Sequence, residues 1–590
     1  MFREMRPGTA LALVLAATAC LAPGCRKANE KAGAPPTAAS PAPAPADGGK
    51  AAVALDPEVQ TTVRSVLDSD YHPWLTWPDV TGVLPDLEAL YAAEPDSLFW
   101  FEGAIPHRAV DGALKAIAAS GDIGLVPADY DAAGLSSRFA ALKAGGSPEE
   151  RALFDVAISA SSMRLLQSAH WGRVDPRHND FDYDVSGKRL DLAATLRAAR
   201  DDGGLPAAIA AVEPPYPFYR RLLKALADYR AIAAAEPPPI PALPEGTKKL
   251  VPGKPWTGIP ALAARLRAFG DLSADAAASG AAADGTPIYE GAIVEAVRKF
   301  QDRHTLEADG VIGPGTIAEI NVPAAKRARQ IELAIERLRW VPVNGEKRLV
   351  IVNVPLFRLW GYDPAQPGVF LRMNVVVGKA KKHETPIFIG QMAYIVFRPY
   401  WNPPMSILRK EILPHARRDP GYVAKQNLEI VASGADDAPT LPATPENLDK
   451  VAAGKLFIRQ KPGEKNSLGL AKFIFPNDDS IYMHGTPAQS LFSRARRDFS
   501  HGCIRVEDPA ALAEWVLGND PAWTRERIEA AMKGTKPKRA NLKEKLTVLL
   551  FYSTAHVDMK GVVYFADDYY GHDAKLEEAL KEGYPYPRTS

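Results

Sequence analysis

The hydrophobic period of this chain changes between Trp340 and Arg348, and that change limits what it can fold into. Before it, apolar residues recur mostly at helical spacing. After it they come in short β-rich runs bounded by turns, such as Arg348 to Val354 and Phe370 to Gly378. At 590 residues there is length for several domains, each with its own core. The expected class is therefore multidomain α+β. With 71 Lys plus Arg against 70 Asp plus Glu, the net charge of +1 gives no reason to expect a nucleic-acid or acidic partner.

Breaks in composition divide the chain. Arg3 and Arg6 precede an apolar run from Leu11 to Ala19, the layout of a secretory signal over residues 1–25. Leu21-Ala22-Pro23-Gly24-Cys25 resembles a lipoprotein processing box, with Ala17-Thr18-Ala19-Cys20 a competing version, so Cys25 or Cys20 is the expected lipidation site and membrane anchor. Residues 26–52, rich in Ala, Pro, Gly and Lys, read as a flexible tether. Ala and Leu at helical spacing predict an all-α scaffold over 53–250, with a Pro-rich break at Glu236-Pro237-Pro238-Pro239. A small helical module follows over 251–325, built on an amphipathic helix from Ala292 to Gln301 and a turn from Asp309 to Thr316. Residues 326–590 carry the β-rich domain. Its pattern is interrupted between about 403 and 453 by a helical insertion expected to act as a lid, before strand-like Leu456 to Arg459 resumes.

The stretch that carries chemistry is Ser500-His501-Gly502-Cys503-Ile504-Arg505-Val506, which holds the one cysteine beyond the first twenty-five residues. A thiol reacts as its thiolate and needs a base or a positive charge nearby. His484, at the end of the alternating run Ser480 to Thr486, is the candidate base. Gly502 lets backbone N–H groups approach a developing oxyanion. Arg505, two residues past Cys503 on an extended segment, faces the same side and can hold a substrate carboxylate. Zinc on His484, His501 and Cys503 is a competing reading, but neither HExxH nor CxxC spacing supports it, and no metal is assigned. His501 can equally fix the turn through its ring or take part in proton transfer. A buried, inert Cys503 is the plain alternative.

His484, fifteen intervening residues and then Ser500-His501-Gly502-Cys503 resemble the signature of the L,D-transpeptidases, the YkuD-type cysteine enzymes of bacterial cell walls. Arg398 to Pro404, Ile412-Leu413-Pro414 and Phe473 to Asn477 look like the YcbB-like multidomain branch, as does Ser168 to Pro176 in the scaffold. The module at 259–323 resembles a three-helix peptidoglycan-binding domain, apart from an Ala/Gly insertion between Ser273 and Gly285. The resemblance implies that Cys503 is the nucleophile, His484 the base, His501 an orienting residue and Ser500 part of the catalytic turn. It also implies that Tyr482 and Arg505 line the donor site and that amides near Gly502 and Cys503 form the oxyanion hole. The implied reaction needs no cofactor and joins diaminopimelate residues of two peptidoglycan stems with release of D-alanine. An L,D-carboxypeptidase using water, or a non-enzymatic wall anchor, are the alternatives. The implied setting is a Gram-negative periplasm, with glycan strands held by the module and the membrane reached through the lipid.

Overall fold

The computed structural model describes residues 57–95, 97–202, 204–276, 280–342, 345, 347–366, 371–419 and 421–586. The signal, the tether, Cys20 and Cys25 lie outside them. No helix of the described residues is long and apolar enough to cross a membrane.

The N-terminal helical region packs around α1, Pro148–Trp171. Ser147 caps it through a reciprocal capping box with Glu150, and most of its length is buried, including Asp155, Ser159 and Arg164. The all-α expectation meets two local exceptions, the short strand Phe181–Asp182 and a hairpin of Phe101–Glu102 with Ile105–Pro106, two residues in each arm. Asp155 holds the segment leading into the hairpin: its carboxylate accepts the N–H groups of Phe99 at 3.0 Å and Trp100 at 2.6 Å and the Tyr91 hydroxyl at 2.7 Å. The run Phe99-Trp100-Phe101 thus gains partners outside a helix.

Two segments sit elsewhere than the sequence pattern places them. Helix α2, Pro217–Ala234, reads as the end of the scaffold but buries Tyr219, Leu222 and Leu226 in the core shared with the sheet. The module holds α3 (Ile259–Ala268), α4 (Ala292–Arg303) and α5 (Pro314–Ile320) around Leu262, Val297, Phe300 and Ile312. Ile240 and Leu250, counted with the scaffold from composition, join that core. Leu250 exchanges backbone hydrogen bonds with Ile312, and Ile240 N–H donates to Asn321 Oδ1 at 2.8 Å. Proline-rich composition marks the break between helices, but not the side on which the chain packs.

Helix α6, Ala324–Trp340, is buried along most of its length, charged residues included. The sheet then runs through β1 (Leu349–Asn353), β2 (Arg358–Tyr362), β3 (Leu371–Gly378), β4 (Ile387–Phe397), β5 (Ala471–Ile474), β6 (Met483–His484), β7 (Ile504–Val506) and β8 (Lys538–Phe551). The spatial order is β5-β6-β7-β3-β2-β1-β8-β4, and β5 pairs with β4 as well as β6, so the sheet closes on itself. Phe181–Asp182 adds a short strand beside β4.

The insertion has its own core of Leu408, Ile412, Leu428, Ile430, Leu448 and Ile458. Phe457–Gln460 pairs with Leu428–Val431 in a separate three-stranded sheet. That run therefore belongs to the insertion, and the main sheet resumes only at Ala471. Alternation marks Phe457–Gln460 as a strand without saying which sheet it joins.

The helical region and the sheet domain meet at Glu336 of α6. Its buried carboxylate accepts Arg173 Nε at 3.1 Å, the Val174 N–H at 3.2 Å and the Arg173 N–H, with Arg339 beside it. Burial alone would raise the pKa of Glu336, but Arg173 and Arg339 hold it below the usual value. Gly172, at φ +81°, is required there, because a Cβ would lie 2.7 Å from Trp340 Nε1 and 2.8 Å from Glu336 Oε1. Glu336→Ala leaves two buried guanidiniums without their anion and should cost about 3–5 kcal/mol in chemical denaturation. A loss below about 1 kcal/mol would show that the junction tolerates an uncompensated charge.

Candidate active site

Three short strands bring the candidate residues together. Parallel pairing of β6 with β7 sets Met483 opposite Ile504 and His484 opposite Arg505, and the Ile504 N–H donates to Tyr482 O at 3.1 Å. Met483, Ile504 and Val506 fill the core. Alternation then gives Tyr482, His484, Cys503 and Arg505 a common face. From the other side β5 sets Lys472 opposite His484. The Lys472 Nζ lies 3.9 Å from the centre of the Tyr482 ring, and the Tyr482 and His484 rings are 5.7 Å apart.

The turn before Cys503 is clamped by hydroxyls. Gly502 has φ +109°, a conformation that L side chains rarely adopt. Its carbonyl accepts Thr385 Oγ1 at 2.7 Å, and Thr385 Oγ1 in turn accepts the Gly378 N–H at 2.9 Å. Tyr570 completes the clamp by donating to Gly378 O at 2.5 Å. Ser500 Oγ accepts the Gly502 N–H at 3.2 Å and donates to Cys503 O at 2.6 Å.

Two sequence expectations change on this geometry. The Gly502 N–H, expected to face an oxyanion, is turned into the loop by Ser500, because the buried hydroxyl is the acceptor nearest to it. Ser500 thus shapes the turn. His501, expected to orient the nucleophile, points to the inserted segment. Its Nε2 is 3.6 Å from Glu411 Oε1 and its ring 4.5 Å from that of His383. Its pKa is lowered by burial and by His383, against an opposing pull from Glu411, so the imidazole is neutral near pH 7. Glu411 lies in a π-turn, Leu408–Ile412, in which Leu413 N–H donates to Leu408 O. Pro414 has no N–H to continue regular α-helical bonding at that point. Of the basic residues of the insertion, Lys410 bears on His501, while Arg417 pairs with Asp449 at 2.8 Å.

Electrostatics sets the resting state of the thiol. Cys503 is half-buried and free of any disulfide. Burial pushes its pKa up, and hydrogen bonding to Tyr482 with the charges of Lys472 and Arg505 offsets only part of that rise. His484 Nδ1 sits 2.5 Å from Gly485 O, and a carbonyl can only accept, so the neutral ring carries its proton on Nδ1 and leaves Nε2 as the acceptor. Burial first, then the Arg505 and Lys472 charges, lower the His484 pKa to about 3. No hydrogen bond joins His484 to Cys503 among the described residues. The resting pair is accordingly thiol and neutral imidazole. Arg505 Nε, buried on the same face, has no hydrogen-bond partner among the described residues. Lys472 is the component that sequence reasoning missed. In Ala471-Lys472-Phe473 it reads as the polar member of an alternating strand, which any solvated lysine would also satisfy.

Residues 347–536 match the family model described as "L,D-transpeptidase catalytic domain", residues 85–226 match "Scaffold domain" and residues 258–320 match "Putative peptidoglycan binding domain". A Haemophilus influenzae protein named "Putative L,D-transpeptidase" is 29% identical over 263 residues, covering 44% of this chain and 51% of the relative. The chain thus spans about half the length of that relative. A crystal structure of the L,D-transpeptidase (residues 123–326) from Xylanimonas cellulosilytica aligns at 16% identity over 53% of this chain and all of that one, with a TM-score of 0.16, too low to support an argument.

The charge arrangement has a measurable consequence. A thiol with a raised pKa ionises only in alkaline solution, so alkylation of Cys503 by iodoacetamide should climb with pH and reach half its maximum above the ordinary thiol value of 9.0. A plateau already reached by pH 7 would instead indicate a thiolate–imidazolium pair. Lys472→Met removes a cation that favours the thiolate and should slow alkylation at pH 8 by about three- to tenfold. An unchanged rate would show that Arg505 alone sets the potential at the sulfur.

Proposed function

We propose that this chain, whose residues 347–536 match the L,D-transpeptidase catalytic-domain model, cross-links peptidoglycan stems through a thioester on Cys503. The observation that carries the reading is the single face shared by Cys503, Tyr482, His484, Arg505 and Lys472. In the proposed reaction Arg505 takes the terminal carboxylate of a donor stem, and the sulfur attacks the carbonyl that joins the third residue to D-alanine. The tetrahedral oxyanion is met by amides of the turn, with the Cys503 N–H as the one left to offer once Ser500 holds that of Gly502. As the C–N bond breaks, D-alanine leaves with the thiol proton and the acyl group stays on sulfur. The amine of a diaminopimelate residue in a second stem then attacks the thioester; the C–N bond forms as the C–S bond breaks, and the amine proton passes through His484 Nε2 to the departing sulfur, restoring the thiol.

His484 is a weak base in the free enzyme because burial and two neighbouring cations resist imidazolium. A donor carboxylate on Arg505 neutralises one of those cations, so substrate binding raises the basicity of His484 at the moment it is needed. Domain divisions at residues 53 and 326, with the second domain drawn to include Ile240 and Leu250, and the role of the module at 258–320 in holding glycan belong to the same proposal, as does export to a Gram-negative periplasm on a lipidated Cys25 or Cys20.

Mass spectrometry of muropeptides after incubation with the purified protein tests the reaction. New dimers joined between diaminopimelate residues support transpeptidation. Shortened monomers alone would indicate a carboxypeptidase, and no change a non-enzymatic anchor. Cys503→Ala should abolish all products while remaining folded, since a half-exposed thiol contributes little packing. His484→Ala should reduce turnover at least a hundredfold.

We assign the insertion to a cover over the thioester. Its Glu411 reaches His501, two residues from the nucleophile. Trp401 and Gln460 exchange backbone hydrogen bonds at 3.1 and 2.8 Å, so the stems of the insertion are adjacent and residues 402–459 can be replaced by a short Gly-Ser loop. That variant should shift products from dimers towards hydrolysed monomers, because water gains access to the acyl group. A variant that folds, acylates and keeps its original product ratio would remove the covering role.

A further inference from the structure

The helical region carries two adjoining clefts at the C-terminal end of α1. One, of about 280 Å3, is lined by Trp171, Val174, Asp175 and Pro176; the other, of about 250 Å3, by Trp77, Asp79, Thr81, Tyr584 and Tyr586. Gln167 and Arg173 line both. Arg173 is 3% exposed, its Nε is committed to Glu336 and its guanidinium lies against Tyr586, 5.4 Å from the ring centre, while its Nη2 closes no hydrogen bond of normal length among the described residues. The Gln167 amide is half-buried and likewise makes no hydrogen bond among the described residues. The second cleft is walled by aromatic rings, with Trp77 and Tyr584 at 5.9 Å and Tyr584 and Tyr586 at 6.2 Å between centres.

We infer that these clefts form a carbohydrate-binding site for a β-linked strand of N-acetylated amino sugars, separate from both the cysteine site and the module at 258–320. Three features select that class. Aromatic faces accept the apolar face of a pyranose ring, and each cleft has room for about one sugar unit. Gln167 and Arg173, at the shared wall, supply planar donors for hydroxyl and acetamido oxygens, and a buried donor without a partner gains most from such an acceptor. The local charge selects an uncharged strand. Arg173 is already balanced by Glu336, and Asp79, whose pKa is lowered by Thr81 hydrogen bonds, keeps a negative charge at the rim.

The inference does not rest on the catalytic reading, and it is tested in full-length Cys503→Ala protein so that no reaction intervenes. The probe is the β-1,4-linked tetramer of N-acetylglucosamine, followed by tryptophan emission and calorimetry, with a diazirine derivative to map the contact. The expected result is photolabelling of peptides containing Trp77 and Tyr584, and at least fivefold weaker binding at that site in Gln167→Ala and in Tyr584→Ala with unchanged thermal unfolding. Gln167, without an internal partner, can be replaced without loss of fold even if Tyr584 cannot. Labelling confined to residues 258–320, or no binding, would overturn the inference. So would labelling at Trp77 that a proline-rich peptide displaces and the unmodified tetramer does not, since that would assign the aromatic walls to a peptide.

Discussion

The parallel pairing of β6 with β7 is the constraint on which the candidate site depends. His484 and Cys503 are separated by a long loop, and one register alone puts His484 beside Arg505 with Tyr482 beside the nucleophile. A slip of one residue would turn Met483 and Ile504 out of the core and His484 and Arg505 into it. The core enforces the register, because Met483, Ile504 and Val506 are fully buried. Packing on one face thereby fixes chemistry on the other.

The same burial that fixes the register works against ionisation. It raises the pKa of Cys503 and lowers that of His484, so neither group is charged at neutral pH before substrate arrives. Lys472 and Arg505 favour a thiolate and disfavour an imidazolium, which separates the roles usually assigned to a cysteine–histidine pair. In the proposed reaction, activation depends on a carboxylate reaching Arg505. Under that proposal the arrangement keeps the thiol unreactive until a ligand of the right charge occupies the site.

Around this site the chain is assembled through buried charge. Glu336 joins α6 to the end of α1, and the aromatic clefts lie at the outer side of the same Arg173 that pairs with it. Removing one partner of such a pair leaves an uncompensated charge, whereas the intact pair orients both segments. The insertion is joined to the sheet domain by closely paired stems and has a core of its own.

The linear sequence by itself determined the local features. Helical spacing before Trp340, the β-rich runs after it and the residues around Cys503 all depend on neighbours within a few positions, where side-chain direction repeats with a known period. Tertiary structure decided what depends on partners far along the chain. Lys472 was indistinguishable from a solvated lysine until β5 paired with β6. Phe457–Gln460 read correctly as a strand but joined the insertion's own sheet, since periodicity encodes a face and not a partner. Gly502 was recognisable as permissive backbone, yet only the folded turn gave its N–H to Ser500 rather than to an oxyanion. Protonation followed the same division: desolvation sums over every atom that excludes water, and those atoms come from strands and loops that the sequence lists far apart.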